Sequence, residues 1–103
     1  MDEIGNKIFN ECLGFDWDTS SVDKNWLKHS VSPAECEQVF FNRPLVIGED
    51  IAHSKLELRF YTLGKKADSK RLLFIVFTVR NNLIRVISAR DMSRKEKKVY
   101  NNG

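Results

Sequence analysis

At 103 residues the chain is long enough for one domain and too short for two. Hydrophobic residues make up 42% and charged residues 30%, an ordinary globular balance, and the longest mostly apolar run is Leu72 to Val79, so disordered and membrane-spanning classes are excluded. The net charge of +3 is unevenly divided: residues 1–50 carry 4 Lys/Arg against 10 Asp/Glu, and residues 51–103 carry 13 against 4. The C-terminal half is therefore the side expected to face a polyanion, unless its charges form only a solvated face. Met1-Asp2-Glu3 lacks the basic-then-apolar order of a secretory signal, which predicts a cytoplasmic protein with Cys12 and Cys36 as reduced, buried thiols.

Ile4, Ile8, Phe9 and Cys12 fall at helical spacing, so a short amphipathic helix is predicted over Ile4–Leu13, stopped by Gly14. Phe15 to Asp18 alternates like a brief edge strand. Ser20 or Ser21 is placed to cap a helix running to His29, with Val22 and Trp26 on its apolar side. Ser32-Pro33-Ala34-Glu35 is a capping box with Pro in the first turn; Cys36, Val39 and Phe40 form the buried stripe of the helix it opens, and Asn42-Arg43-Pro44 ends it.

After Pro44 the period becomes strand-like, with no internal repeat. Short strands are predicted at Leu45–Ile47 and Leu56–Leu63, a polar loop at Gly64–Lys70, and a central strand at Leu72–Val79, whose two apolar faces require cover on both sides. Asn81-Asn82 suits a two-residue hairpin turn, because Asn tolerates positive φ, and Leu83–Arg90 returns. Ser93-Arg94-Lys95-Glu96 is a second capping box, opening a basic helix to Tyr100.

The turn sets a register: Arg80 with Leu83, Val79 with Ile84, Thr78 with Arg85, Phe77 with Val86, Ile75 with Ser88 and Leu73 with Arg90. Arg80 and Arg85 then share one face and Arg90 takes the other, at a strand end where it can wrap round the edge. Arg59 and Tyr61 share a face of the preceding strand.

Phosphate-binding Gly loops, paired-Cys zinc spacing, the His-Glu-x-x-His motif and the nucleophile elbow are all missing from the sequence, which argues against metal-dependent and nucleotide-hydrolysing chemistry and implies no cofactor. His53 reads as a polar loop residue. His29, beside Lys28 at a helix end, either complements the helix dipole or moves a proton. Four arginines on neighbouring strands, Arg59, Arg80, Arg85 and Arg90, are the strongest signal: like charges repel, so a phosphate between them would explain their collection. Arg94, Lys95, Lys97 and Lys98 lie where cations oppose a helix dipole, which suits a ligand better than helix stability.

Five segments in order carry a resemblance. Gly14-Phe15-Asp16-Trp17-Asp18, Lys24 to Ser32 and Glu35 to Phe40 resemble the first half of BrnT-type toxins; Leu58-Arg59-Phe60 with Gly64, and Thr78-Val79-Arg80 followed by Ile84 to Arg90 and a basic helix ending at Tyr100, resemble the second. The likeness covers about residues 14–100 of what is then a single toxin domain, with residues 1–13 as an N-terminal extension. Ser30 stands where that family usually has Gly. The resemblance implies an α+β, RelE-like fold, with a small antiparallel sheet packed by helices and a short basic C-terminal helix. It also implies a metal-independent ribonuclease, silenced by a BrnA-like ribbon-helix-helix antitoxin, with operator DNA bound only through the joint complex. By position, the implied catalytic residues are Arg59, Arg80 and Arg90, with Arg85, Lys28 and His29 behind them; Arg94, Lys95, Lys97, Lys98 and Tyr61 are the implied RNA contacts. The competing expectation is a non-catalytic basic module that docks nucleic acid or an acidic protein.

Overall fold

The sharpest fold signals in the sequence are a two-Asn turn and two capping boxes, and all three form. The computed structural model describes residues 12–51, 57–66 and 70–102. In chain order these give β1 (Gly14–Phe15), α1 (Thr19–His29), α2 (Pro33–Phe41), β2 (Val46–Glu49), β3 (Phe60–Lys65), β4 (Leu72–Arg80), β5 (Leu83–Asp91) and α3 (Arg94–Asn102). The strands make one sheet in the order β1-β5-β4-β3-β2, antiparallel except for the β1–β5 pair, so the architecture is α+β. Among the described residues, no helix is long and apolar enough to cross a membrane.

The apolar strand β4 lies at the centre of the sheet, and its two faces are covered by different layers. On one face Leu73, Ile75 and Phe77 meet Phe60, Ile84, Val86 and Ala89 from the neighbouring strands and Cys36, Val39 and Phe40 from α2. Phe40 meets Phe77 edge-on at 5.1 Å between ring centres. A Cβ on Gly64 would come within 2.5 Å of Val39 Cγ1, so the glycine lets α2 approach β3. On the other face Leu72 and Phe74 pack with Leu63, Met92 and Tyr100 beneath α3, and the Tyr100 hydroxyl donates to the Pro44 carbonyl at 2.8 Å.

The α2 capping box is complete: Ser32 Oγ accepts from Glu35 N–H, and Glu35 accepts from Ser32 N–H. α1 corrects two expectations. Its cap is Asp18, which accepts from Ser20 N–H, because an extended Asp one residue ahead of the helix reaches the first free N–H groups. Its inward face is also not Val22 with Trp26: Trp26 is 55% exposed, whereas Asn25 is 2% exposed and accepts the Ala89 N–H of β5 at 3.2 Å. A buried sheet N–H needs a partner, and that need outweighs the apolar character of Trp26.

Strand boundaries shift too. β1 is Gly14–Phe15 rather than Phe15–Asp18, and β2 reaches Glu49. β3 runs to Lys65, taking Gly64 and Lys65 out of the expected loop, because both pair with β4. The helix predicted at Ile4–Leu13 lies outside the described residues except for Cys12 and Leu13, which are not helical. His53 also lies outside the described residues.

The hairpin turn has positive φ at both Asn81 and Asn82. The first four pairs, from Arg80–Leu83 to Phe77–Val86, match the expected register, and then the ladder jumps: Val76 faces Ser88, Ile75 faces Ala89 and Phe74 faces Arg90. Ile87 is an extra residue, a β-bulge, and it overturns both expected pairs, Ile75 with Ser88 and Leu73 with Arg90. The bulge also reverses the expected face of Arg90. Opposite residues point the same way and neighbours alternate, so Phe74, Val76, Thr78 and Arg80 share a face with Arg85, Ser88 and Arg90.

Candidate active site

The bulge thus gathers Arg80, Arg85 and Arg90 on one face of the sheet, and continuing the β3–β4 register places Arg59 opposite Thr78 on that same face. They form two groups. At the hairpin end, Arg85 is the diagonal neighbour of Arg80, roughly 7–8 Å away between Cα atoms. Arg59 lies across Thr78 from Arg85, and the Thr78 hydroxyl fixes the approach of β3 by donating to the Leu58 carbonyl at 2.7 Å. Arg90 faces Phe74, six residues along β4 from Arg80 and so about 20 Å away.

Arg80, Arg85 and Arg90 each have a defined carboxylate partner. Arg80 donates through Nε and Nη2 to both oxygens of Glu57, at 2.6 and 2.9 Å. Arg85 lies 3.5 Å from Asp18 and 3.8 Å from Asp16. Arg90 forks onto both oxygens of Glu96 at 2.8 Å while its guanidinium sits 4.3 Å above the Phe74 ring. Carboxylates of the chain thus answer much of the positive charge that these arginines bring to the sheet. Hydrogen bonding to Arg80 holds the Glu57 carboxyl below the usual carboxylate range, helped by the charges of Arg59 and Arg85. Arg90 does the same for Glu96.

At the Arg90 end, Phe74 stacks with Tyr61 at 5.9 Å, and the Tyr61 ring lies so close over Gly48 that a Cβ there would sit 2.6 Å from it. Tyr61, Leu63 and Phe74 form the floor of a groove of about 280 Å³ whose wall is Lys95, Glu96 and Val99 of α3. The α3 box is also complete: Ser93 N–H donates to Glu96, and Glu96 N–H donates to Ser93 Oγ. Arg94, Lys95, Lys97 and Lys98 are all exposed on this helix.

Lys28 and His29, at the exposed end of α1, stand apart from the hairpin end. The His29 carbonyl accepts from Arg71, which directly precedes β4, so roughly 25 Å of strand separates this corner from Arg80. Arg71 escaped the sequence reading, yet it ties three elements: it donates to the His29 and Ser30 carbonyls, to Glu35 of α2 at 2.9 Å and to both oxygens of Asp91 in β5. Hydrogen bonding to Arg71 keeps Asp91 below its usual range; at Glu35 burial opposes the charge, but Ser32 and Arg71 outweigh it. Burial, followed by the charges of Glu35 and Glu37, pushes the Cys36 thiol up to about 12, so it remains a neutral core group. Among the described residues, no three His, Cys, Asp or Glu side chains gather as metal ligands.

A family described as the BrnT ribonuclease toxin of type II toxin-antitoxin systems matches residues 17–96. The chain belongs to this family. It is a ribonuclease toxin, and an antitoxin partner and an RNA substrate come with that membership. No curated protein matches it individually. BrnT membership makes the geometry at Ser30 informative. Its φ of 54° and ψ of 41° are left-handed, and its N–H closes α1 on the Asn25 and Trp26 carbonyls; this is a position that favours Gly.

Proposed function

We propose that this BrnT protein is a metal-independent endoribonuclease of RelE-like fold that inhibits translation by cutting RNA along the arginine-bearing face of its sheet. The observation that carries the reading is the hairpin-end group: Arg80 and Arg85 on one diagonal, with Arg59 across Thr78. A phosphate seated there meets planar donors from β4, β5 and the residue that leads into β3, suited to the charge that grows on phosphorus as the 2′-hydroxyl attacks. Arg90, Tyr61, Arg94, Lys95, Lys97 and Lys98 hold the RNA on either side of the cut. Lys28 and His29 lie too far from Arg80 to move protons at that phosphate, and we assign them to outer phosphate contacts.

A BrnA-like ribbon-helix-helix antitoxin would silence the site by covering the sheet face around Arg59, Arg80 and Arg85, and the joint complex would bind operator DNA. The whole system is expected in the cytoplasm, and residues 1–103 to act as one toxin domain. The test is RNA incubated with purified protein in chelator. Cleavage leaving 2′,3′-cyclic phosphate and 5′-hydroxyl ends is expected; intact RNA would refute the metal-independent mechanism. Hydrogen exchange with the antitoxin bound should protect residues 57–66 and 72–90, and protection confined to residues before Pro44 would refute the covering model.

A further inference from the structure

We infer that Glu57 is the general base of this ribonuclease, acting on the 2′-hydroxyl while Arg80 holds the adjacent phosphate. The inference rests on the functional reading above, which leaves the proton-accepting step without a residue.

Several features of the geometry support it. Glu57 bonds to Arg80 at 2.6 and 2.9 Å, and the charges of Arg59, just ahead of β3, and of Arg85 in β5 also act on it. Arg80 feels a further carboxylate, Asp16, from the segment that follows β1. The fork occupies one lone pair on each Glu57 oxygen, and a carboxylate oxygen has two, so each can still accept a hydroxyl proton. Arg80 uses two of the five N–H groups of a guanidinium on Glu57, and the remaining ones can reach a phosphate. Base and clamp are therefore held side by side. The Glu57 side chain is 33% exposed and that of Arg80 48%, open enough for a substrate to reach. Neither side of the pair caps a helix or fills the core, in contrast to Glu35 and Glu96.

In the step, the 2′-oxygen bonds to phosphorus as Glu57 takes its proton. The bond from phosphorus to the 5′-oxygen breaks, and that oxygen takes a proton from water. The products are a 2′,3′-cyclic phosphate and a 5′-hydroxyl. Glu57 returns its proton to solvent, and no oxidant or other reactant is consumed.

The experiment uses the full chain, a cleavable RNA, and the same RNA with 2′-O-methyl groups to measure binding alone. Glu57→Gln keeps shape and removes basicity, so cleavage should fall about 100- to 10,000-fold with binding to the methylated RNA retained. The wild-type rate should fall on the acid side, through the lowered carboxylate range, as Glu57 protonates. That acid limb should vanish from the residual Glu57→Gln rate and return in Glu57→Asp. Wild-type rate in Glu57→Gln, an acid limb that survives in it, or parallel loss of binding and cleavage would each overturn the assignment; the last would make Glu57 only a positioning residue for Arg80. Thermal unfolding of both variants separates these outcomes from misfolding. A wild-type chain that leaves RNA intact in chelator would overturn the metal-independent reading itself, whereas active wild type with unaltered Glu57→Gln overturns the base alone.

Discussion

The same ion pair, an arginine forked onto a glutamate, occurs at both ends of one sheet face with opposite surroundings. Arg90–Glu96 is built into the architecture: the guanidinium lies on Phe74, and the same carboxylate completes the capping box of α3. Arg80–Glu57 has no such duties and projects beside the turn. A similar fork thus ties down a helix in one place and, on the reading proposed above, leaves reactive groups available in the other. A charged pair takes its role from what else its atoms must do.

The widest separation of the two ends should come from Arg80→Lys. Charge persists but the planar fork is lost, so cleavage should fall about 100-fold or more while RNA affinity and melting temperature stay near wild type. Equal losses in binding and cleavage rates would erase the proposed contrast.

Glu96→Ala should do the reverse. Losing a helix cap costs about 1 kcal/mol, and the partly exposed pair adds little, so melting should drop by roughly 4–8 °C in calorimetry with cleavage per folded molecule nearly unchanged. The acid side should change as well. Glu96 is held below its ordinary 4.5, so its stabilisation is present above that pH and is lost as pH falls through the lower folded value. The variant should lack that part of the acid destabilisation, as urea melts at falling pH would show.

Replacing Arg94, Lys95, Lys97 and Lys98 with Gln should flatten the salt dependence of RNA binding by roughly one unit for each phosphate contact removed. An unchanged slope would mean these residues only solvate α3. The smallest effect is at the α1 terminus: Ser30→Gly should raise stability by about 0.5–1 kcal/mol in urea unfolding, because the left-handed backbone costs Ser more than Gly.

The parts legible in the sequence were those set by neighbours along the chain. Asn81-Asn82 announced its turn, and Ser32 with Glu35 and Ser93 with Glu96 announced their helices, since each motif closes within four residues. Ile87 could not be singled out: between Val86 and Ser88 it looks like any strand residue, and only the fit against β4 shows it to be surplus. The arginines were visible, but their partners were not. Glu57 and Arg80 are 23 positions apart, and Glu35 and Arg71 are 36 apart; sheet register and helix docking bring them together. Asn25 was hidden for the same reason, because the Ala89 N–H that it satisfies belongs to a strand 64 positions away.

The extra residue in β5 is the one place where the strand's length is slack. Ile87 has no partner in β4, so removing it would close the ladder with Val76 against Ser88, Ile75 against Ala89 and Phe74 against Arg90, the pairs that already exist. Arg90 would keep its face, and Ala89 its place beside Asn25. What would go is the local bend and added twist that a bulge gives its strand. Descendants of this chain can therefore change or even lose position 87 without turning Arg90 over, at the cost of a straighter β5.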